Sequence, residues 1–219
     1  MRNAVFADTR QALYVAHMVM ALPPRQGSPF RTSLIRMLEG APRLSATQSD
    51  WLEQLRGQPG DSTVNFSGLT SDEVRGQCAM VVSAVDSKLP APERAVIRAR
   101  FIPAEYEEMV RGDKYSRRFF YSRERVEAIR YLADWLAPTV TAVSRDALDF
   151  LIAKAFANHQ KLVISYRQLA DQFGGNHMTY ARAFATVRDR MRELEAVAVD
   201  RLTPYFEASG LIEVIEEAA

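Results

Sequence analysis

The stretch that decides the fold is ISYRQLADQFGGNHMTYARAFATVRDRMREL, residues 164–194. Ser165 and Gln168 stand at the spacing at which two side chains satisfy free N–H groups at a helix start. Leu169, Ala170 and Phe173 follow as an apolar face, and Ala170 is small enough to let a second helix cross closely. Gly174 can take the left-handed backbone that a tight turn needs, although the doubled Gly174-Gly175 departs from the usual turn, whose second residue is commonly apolar. Asn176 is a good N-cap for a further helix. Along that helix Tyr180, Phe184, Val187, Met191, Leu194 and Ala198 recur at alternating steps of four and three, which predicts one buried stripe. Thr179, Arg182, Arg188, Asp189 and Arg192 fall on the opposite face. The pattern predicts a helix-turn-helix, a module that places its second helix in a DNA major groove. In that docking Asn176, His177, Met178, Thr179 and Arg182 reach base edges, with arginine suited to guanine and asparagine to adenine. Arg167, at the start of the supporting helix, meets a phosphate.

Helical signals dominate the rest of the chain, and runs of alternating β-branched residues are almost absent. A helix is expected over 4–22, stopped by Pro23-Pro24, and another over 29–39. A capping box at 45–48 opens a short helix carrying Trp51. Residues 57–68, rich in turn formers, are the linker candidate. Thr70 to Glu73 form another capping box, starting a helix to about Lys88. Pro92 suits the first turn of a helix ending at Phe101. A long helix is expected from about Ser116 to Leu136, another from Ser144 to about His159, and the last from about Met178 to Leu202, ending before Pro204. A short acidic helix is expected after Gly210. The expected fold is all-α, with helical bundle subregions over 1–60, 69–140 and 144–219. VIRARF (96–101) and LIAKAF (151–156) suggest a degenerate repeat of a three-helix unit.

Charge is distributed unevenly. The 219 residues carry a net charge of only +1. Residues 111–130 nevertheless hold seven Lys/Arg against three Asp/Glu, and residues 154–192 seven against two. A phosphate backbone senses such regional charge. One cysteine, Cys78, excludes an intrachain disulfide framework and a cysteine-cluster zinc site, and fits a reducing, cytoplasmic setting. The longest early apolar run, Leu13–Leu22, is far short of a membrane span of roughly 20 residues, so no membrane partner is expected. No two histidines share ligand spacing, and phosphate loops and nucleophile elbows are absent. Neither metal, cofactor nor enzymatic activity is expected. His17, Trp51 and Trp135 lie on apolar runs and are expected in the core, and His159 at a helix end.

LPAPERAVIRARF (89–101), EYEEMV (105–110) and SRERVEAIRYLADWL (122–136) together resemble region 4 of bacterial sigma factors, over about 48 residues. Sigma-like modules also occur in phage Q-type late-gene antitermination proteins, and this chain is similar to them in kind. The resemblance implies a Glu-Glu-containing helix over EYEEMV and a recognition helix led by Ser122. It makes Arg117, Arg118, Arg123 and Arg125 candidate groove or phosphate contacts, with RNA polymerase a second partner beside double-stranded DNA. The segment between Glu108 and Ser122 is longer than the family pattern, so starts near Ser116 and near Ser122 compete. The function expected is a sequence-specific DNA-binding transcription regulator. The alternative is an adaptor that docks on polymerase or another protein without reading DNA, its arginines serving as solvated surface.

Overall fold

The structure, a computed structural model, describes residues 4–22, 37–38, 48–49, 52, 69, 71–111, 114–157 and 164–213. The helices expected over 29–39 and 45–55, the linker over 57–68, Trp51 and His159 lie outside the described residues or reach them at isolated positions only. The fold is all-α with one small hairpin. In chain order the elements are α1 (Thr9–Ala21), α2 (Ser71–Lys88), α3 (Ala91–Phe101), β1 (Ala104–Arg111), β2 (Lys114–Tyr121), α4 (Arg123–Leu136), α5 (Arg145–Phe156), α6 (Tyr166–Phe173) and α7 (His177–Ala208). Among the described residues no helix is long and apolar enough to cross a membrane.

The chain divides into two compact units, Met1–Leu89 with Val199–Ala219, and Pro90–Ala198. That division differs from boundaries at 69–140 and 144–219, because α4 and α5 share a core within the second unit. Arg125 of α4 donates to the carbonyl of Phe156 at the end of α5 at 3.0 Å. Leu132 and Leu136 of α4 and Leu148, Leu151 and Ile152 of α5 are fully or almost fully buried. Each such side chain contributes about 1.5–3 kcal/mol of transfer free energy, which is what keeps the two helices in one body.

In the first unit α1 starts at Thr9 rather than near residue 4. Asp8 is the reason: its Oδ1 accepts the Gln11 N–H at 2.8 Å, and Gln11 Oε1 accepts the Ala7 N–H at 2.7 Å. Residues 4–8 are therefore outside the helix, and Phe6 donates its N–H to Leu211 O at 2.9 Å. His17 is buried, with Nδ1 2.8 Å from the Leu13 carbonyl, as its apolar run implied. On α2, Val74, Cys78, Val81 and Val85 recur at helical steps and are buried. Arg75 donates to Val19 O at 3.2 Å and Leu22 O at 2.9 Å, satisfying carbonyls at the end of α1.

Three expectations are corrected. EYEEMV is a strand and not a helix: β1 and β2 pair antiparallel from Ala104 opposite Tyr121 to Arg111 opposite Lys114. Pro103 disfavours a helical conformation at Ile102, whose ψ is 123°. Tyrosines, phenylalanines and Val110 then supply strand formers on both sides of Gly112-Asp113, a two-residue turn signal. The helix expected from Ser116 accordingly begins at Arg123, with Ser122 as its N-cap. Finally, α7 runs through Pro204 to Ala208. An interior proline costs about 3 kcal/mol, but Asp200 and Pro204 are both exposed, so the carbonyl left without its N–H is on the solvent side. Burial of Leu202 and Phe206, each 0% exposed, offsets the cost. Leu211–Glu213 is not helical, and the rest of the expected acidic helix lies outside the described residues.

Candidate nucleic-acid interface

The second unit presents exposed arginines on α6 and α7, with α5 packed behind them. Ser165 and Gln168 form a reciprocal capping box at the start of α6: Gln168 N–H donates to Ser165 Oγ at 3.1 Å, and Ser165 N–H to Gln168 Oε1 at 3.2 Å. Leu169 anchors this short helix in the core. Gly174 and Gly175 have φ of 82° and 85°, backbone that side chains rarely adopt, so both glycines are required for the turn. Asn176 Oδ1 accepts the Met178 N–H at 2.9 Å and caps α7. Tyr180, Val187 and Met191 are buried as the sequence stripe implied.

Aromatic contacts hold α6 to α7 on one side and to α5 on the other. Tyr166 and Phe184 ring centroids lie 5.9 Å apart, and Phe150 and Phe173 5.7 Å apart. Lys154 Nζ donates to Ile164 O at 2.8 Å and lies over the rings of Tyr166 and Phe184 at 5.1 and 5.7 Å. Burial raises the Tyr166 phenol above its ordinary pKa, with Arg188 opposing that shift. Lys154 is a residue that sequence reasoning missed, since nothing local marks a lysine as the bridge between three segments.

The later candidates lie on α6, at the turn and on the first turns of α7. Arg167, Asn176, His177 and Arg182 are exposed, and Thr179 is half-buried. Arg188 pairs with Asp189 at 3.2 Å and Arg190 with Glu193 at 3.0 Å. Among the described residues Arg167, Arg182 and Arg192 have no ion-pair partner, and all three are exposed. Uncommitted cations on an outward face are what binding to a polyanion requires.

The earlier candidates are placed differently. Arg117 and Arg118 sit on β2, where the register sets them opposite Glu108 and Glu107, and not on a recognition helix. The hairpin occupies the place of the helix that would precede α4, so the α3–α4 segment is no helix-turn-helix, and the proposed repeat holds only for its flanking helices. Ser122 is a cap, accepting the Arg125 N–H at 3.4 Å. Arg123 is exposed and paired with Glu127 at 2.7 Å.

Arg125 points inward. It donates to Ile102 O and Phe156 O, both at 3.0 Å, and its guanidinium lies 4.4 Å from the Tyr121 ring centroid. Burial lowers its pKa, with Tyr121 opposing and Arg100 reinforcing the shift. It joins helix ends and is withdrawn from the candidate surface. Trp135, expected in the core, is 41% exposed and Tyr131, one turn before it, 40%. Among the described residues no group of three or more His, Cys, Asp or Glu could hold a metal ion. No protein-family model matches the chain, and no curated protein matches it in sequence.

Proposed function

We propose that this chain is a sequence-specific regulator of transcription that binds duplex DNA, with α6 as supporting helix and α7 as reading helix. One observation carries the reading: a capped helix, a turn of two positive-φ glycines and a helix displaying unpaired Arg182 and Arg192, with Arg167 on the support. Affinity comes from phosphate contacts and specificity from the first turns of α7.

The resemblance to sigma region 4, which the hairpin limits to 89–101 and 122–136, is what supports RNA polymerase as a second partner and antitermination as the outcome. A separate observation favours protein contact there. Arg123, Glu127, Tyr131 and Trp135 succeed one another every four residues along α4, and the last two are exposed aromatics of the kind enriched at binding hot spots. The adaptor reading makes this row the functional surface and leaves α7 as solvated surface.

Salt separates the two. Duplex binding through about six phosphates weakens on the order of 10³-fold between about 50 and 200 mM salt. An apolar interface changes little over that range. Measurement of the full chain on a genomic-fragment pool at both salt concentrations tests the proposal, and absence of any salt-sensitive duplex binding refutes it.

A further inference from the structure

The first turns of α7 present few groups able to read a base. Met178, Arg182 and Ala185 follow one another at steps of four and three, so they share the face opposite buried Tyr180, Val187 and Met191. Asn176, whose amide suits adenine only when its oxygen and nitrogen are both aimed at one base edge, has its Oδ1 held at the helix start by the Met178 N–H. The Thr186 hydroxyl donates to the Arg182 carbonyl at 3.4 Å. Within the first turns, what remains on that face is one guanidinium, with no ion-pair partner among the described residues, between a thioether and a methyl group, while His177 and Thr179 lie to either side of it. Met178 is 49% exposed, more than any other large apolar side chain among the described residues. Solvent offers an apolar side chain there no stabilisation. A base edge does: thymine alone presents a methyl group in the major groove, and guanine presents the paired acceptors that arginine fits.

We infer that Met178 and Arg182, flanked by Ala185, form the base-reading set, with Met178 packing on a thymine methyl and Arg182 bonded to guanine, while Asn176 is a cap and reads nothing. The inference rests on the DNA-binding reading and assigns its specificity. One turn separates the two residues, roughly 6 Å along the helix against about 3.4 Å per base step. The thymine therefore lies within about two steps of the guanine. Asp189, exposed one turn beyond Ala185, brings a carboxylate to the same face and ends the set, since the phosphate-lined groove disfavours it.

The test is selection of bound duplexes from a random pool by the full chain, followed by replacement of the thymine with deoxyuridine, which removes only the methyl. Wild type binds the uracil duplex about fourfold more weakly, the value of one buried methyl-sized group. Met178→Ala binds both duplexes alike, and Asn176→Ser, which keeps the cap, leaves the selected sequence unchanged. If a sequence is selected, and Arg182→Ala weakens it, yet uracil is neutral to wild type, the Met178 assignment fails while the DNA-binding reading stands. If Asn176→Ser alters the selected sequence, Asn176 is a reader and the assignment fails. If no sequence is selected and duplex binding is absent, the DNA-binding reading itself fails.

Discussion

The Tyr180 hydroxyl donates a hydrogen bond to the Gly174 carbonyl at 2.7 Å, closing the turn between α6 and α7 from its far side. A residue on α7 thereby ties down the end of α6. Tyr180→Phe keeps the packed ring and removes the bond, at a cost of about 1 kcal/mol. Gly174→Ala meets no steric contact but forces a side chain onto φ 82°, ψ 174°, at a cost of about 1–3 kcal/mol. Urea denaturation is expected to rank Gly174→Ala as the more damaging. Equal stability of wild type and Gly174→Ala would contradict the turn geometry.

Arg125 supports the second unit by binding the carbonyls of Ile102 and Phe156, at the ends of two helices. Arg125→Met fills similar space and leaves both carbonyls without a donor, for a loss of roughly 2–4 kcal/mol. Arg125→Lys can reach only part of this arrangement, because a planar fork serves two acceptors and an ammonium is a point charge. A wild-type melting temperature in Arg125→Met would return this residue to the surface assigned by the sequence.

These two sites differ in how far the sequence revealed them. The α6 cap, the glycine turn and the α7 stripe depend on neighbours within seven residues, so spacing exposes them. Arg125 depends on Phe156, 31 residues away, and reads in sequence as one more arginine on a basic helix. The β1–β2 hairpin carried a local signal in Gly112-Asp113 flanked by strand formers. The sigma resemblance instead implied a helix over EYEEMV, and the helix expected from about Ser116 to Leu136 ran over the second strand. Strand pairing decided the matter, by a register that no single-segment pattern contains. Trp135 failed for a different reason. α4 has apolar residues on two adjacent rows, and only packing against α3 and α5 selects Ala128, Leu132 and Leu136 as an inner one.

Lys154 bridges α5 to α6 and α7 and stands behind the proposed interface. Its ammonium bonds Ile164 O and lies over two rings, from α6 and α7. Lys154→Met retains the stem and loses the charge, costing about 1–2 kcal/mol of stability. Duplex affinity is expected to fall without change in the preferred sequence, because the reading side chains are untouched. A changed preference in a repeated selection would instead place Lys154 at the DNA.

Arginines on α7 should not be equivalent. Arg190 is already paired with Glu193 at 3.0 Å, whereas Arg182 has no such partner among the described residues. Arg182→Ala is expected to weaken specific binding by roughly 5- to 100-fold and to relax one base position. Arg190→Ala should change affinity by less than about threefold, since the pair forgoes one attraction to gain another. Titration of both variants against the selected duplex checks this, and equal losses would mean that α7 acts only as a diffuse positive surface.

Alkaline pH provides a test of the other unit, independent of any ligand. Burial pushes the Cys78 thiol up to about 12, opposed by Arg75, and the Tyr14 phenol also to about 12, opposed by the Gln48 hydrogen bond. Both folded groups stay protonated over a range in which their unfolded counterparts ionise, from 9.0 for cysteine and 10.0 for tyrosine. The unfolded chain therefore binds fewer protons, and stability is lost as pH rises from about 9 toward 12. Each group contributes a slope of up to about 1.4 kcal/mol per pH unit. Below about pH 8 neither contributes an appreciable slope. Cys78→Ala removes one of the two, so its unfolding midpoint should fall less steeply between pH 9 and 11 than that of wild type, whatever its stability at neutral pH. Parallel slopes would show that the thiol ionises as readily in the folded chain as in the unfolded one, and that the α1–α2 interface admits water to Cys78.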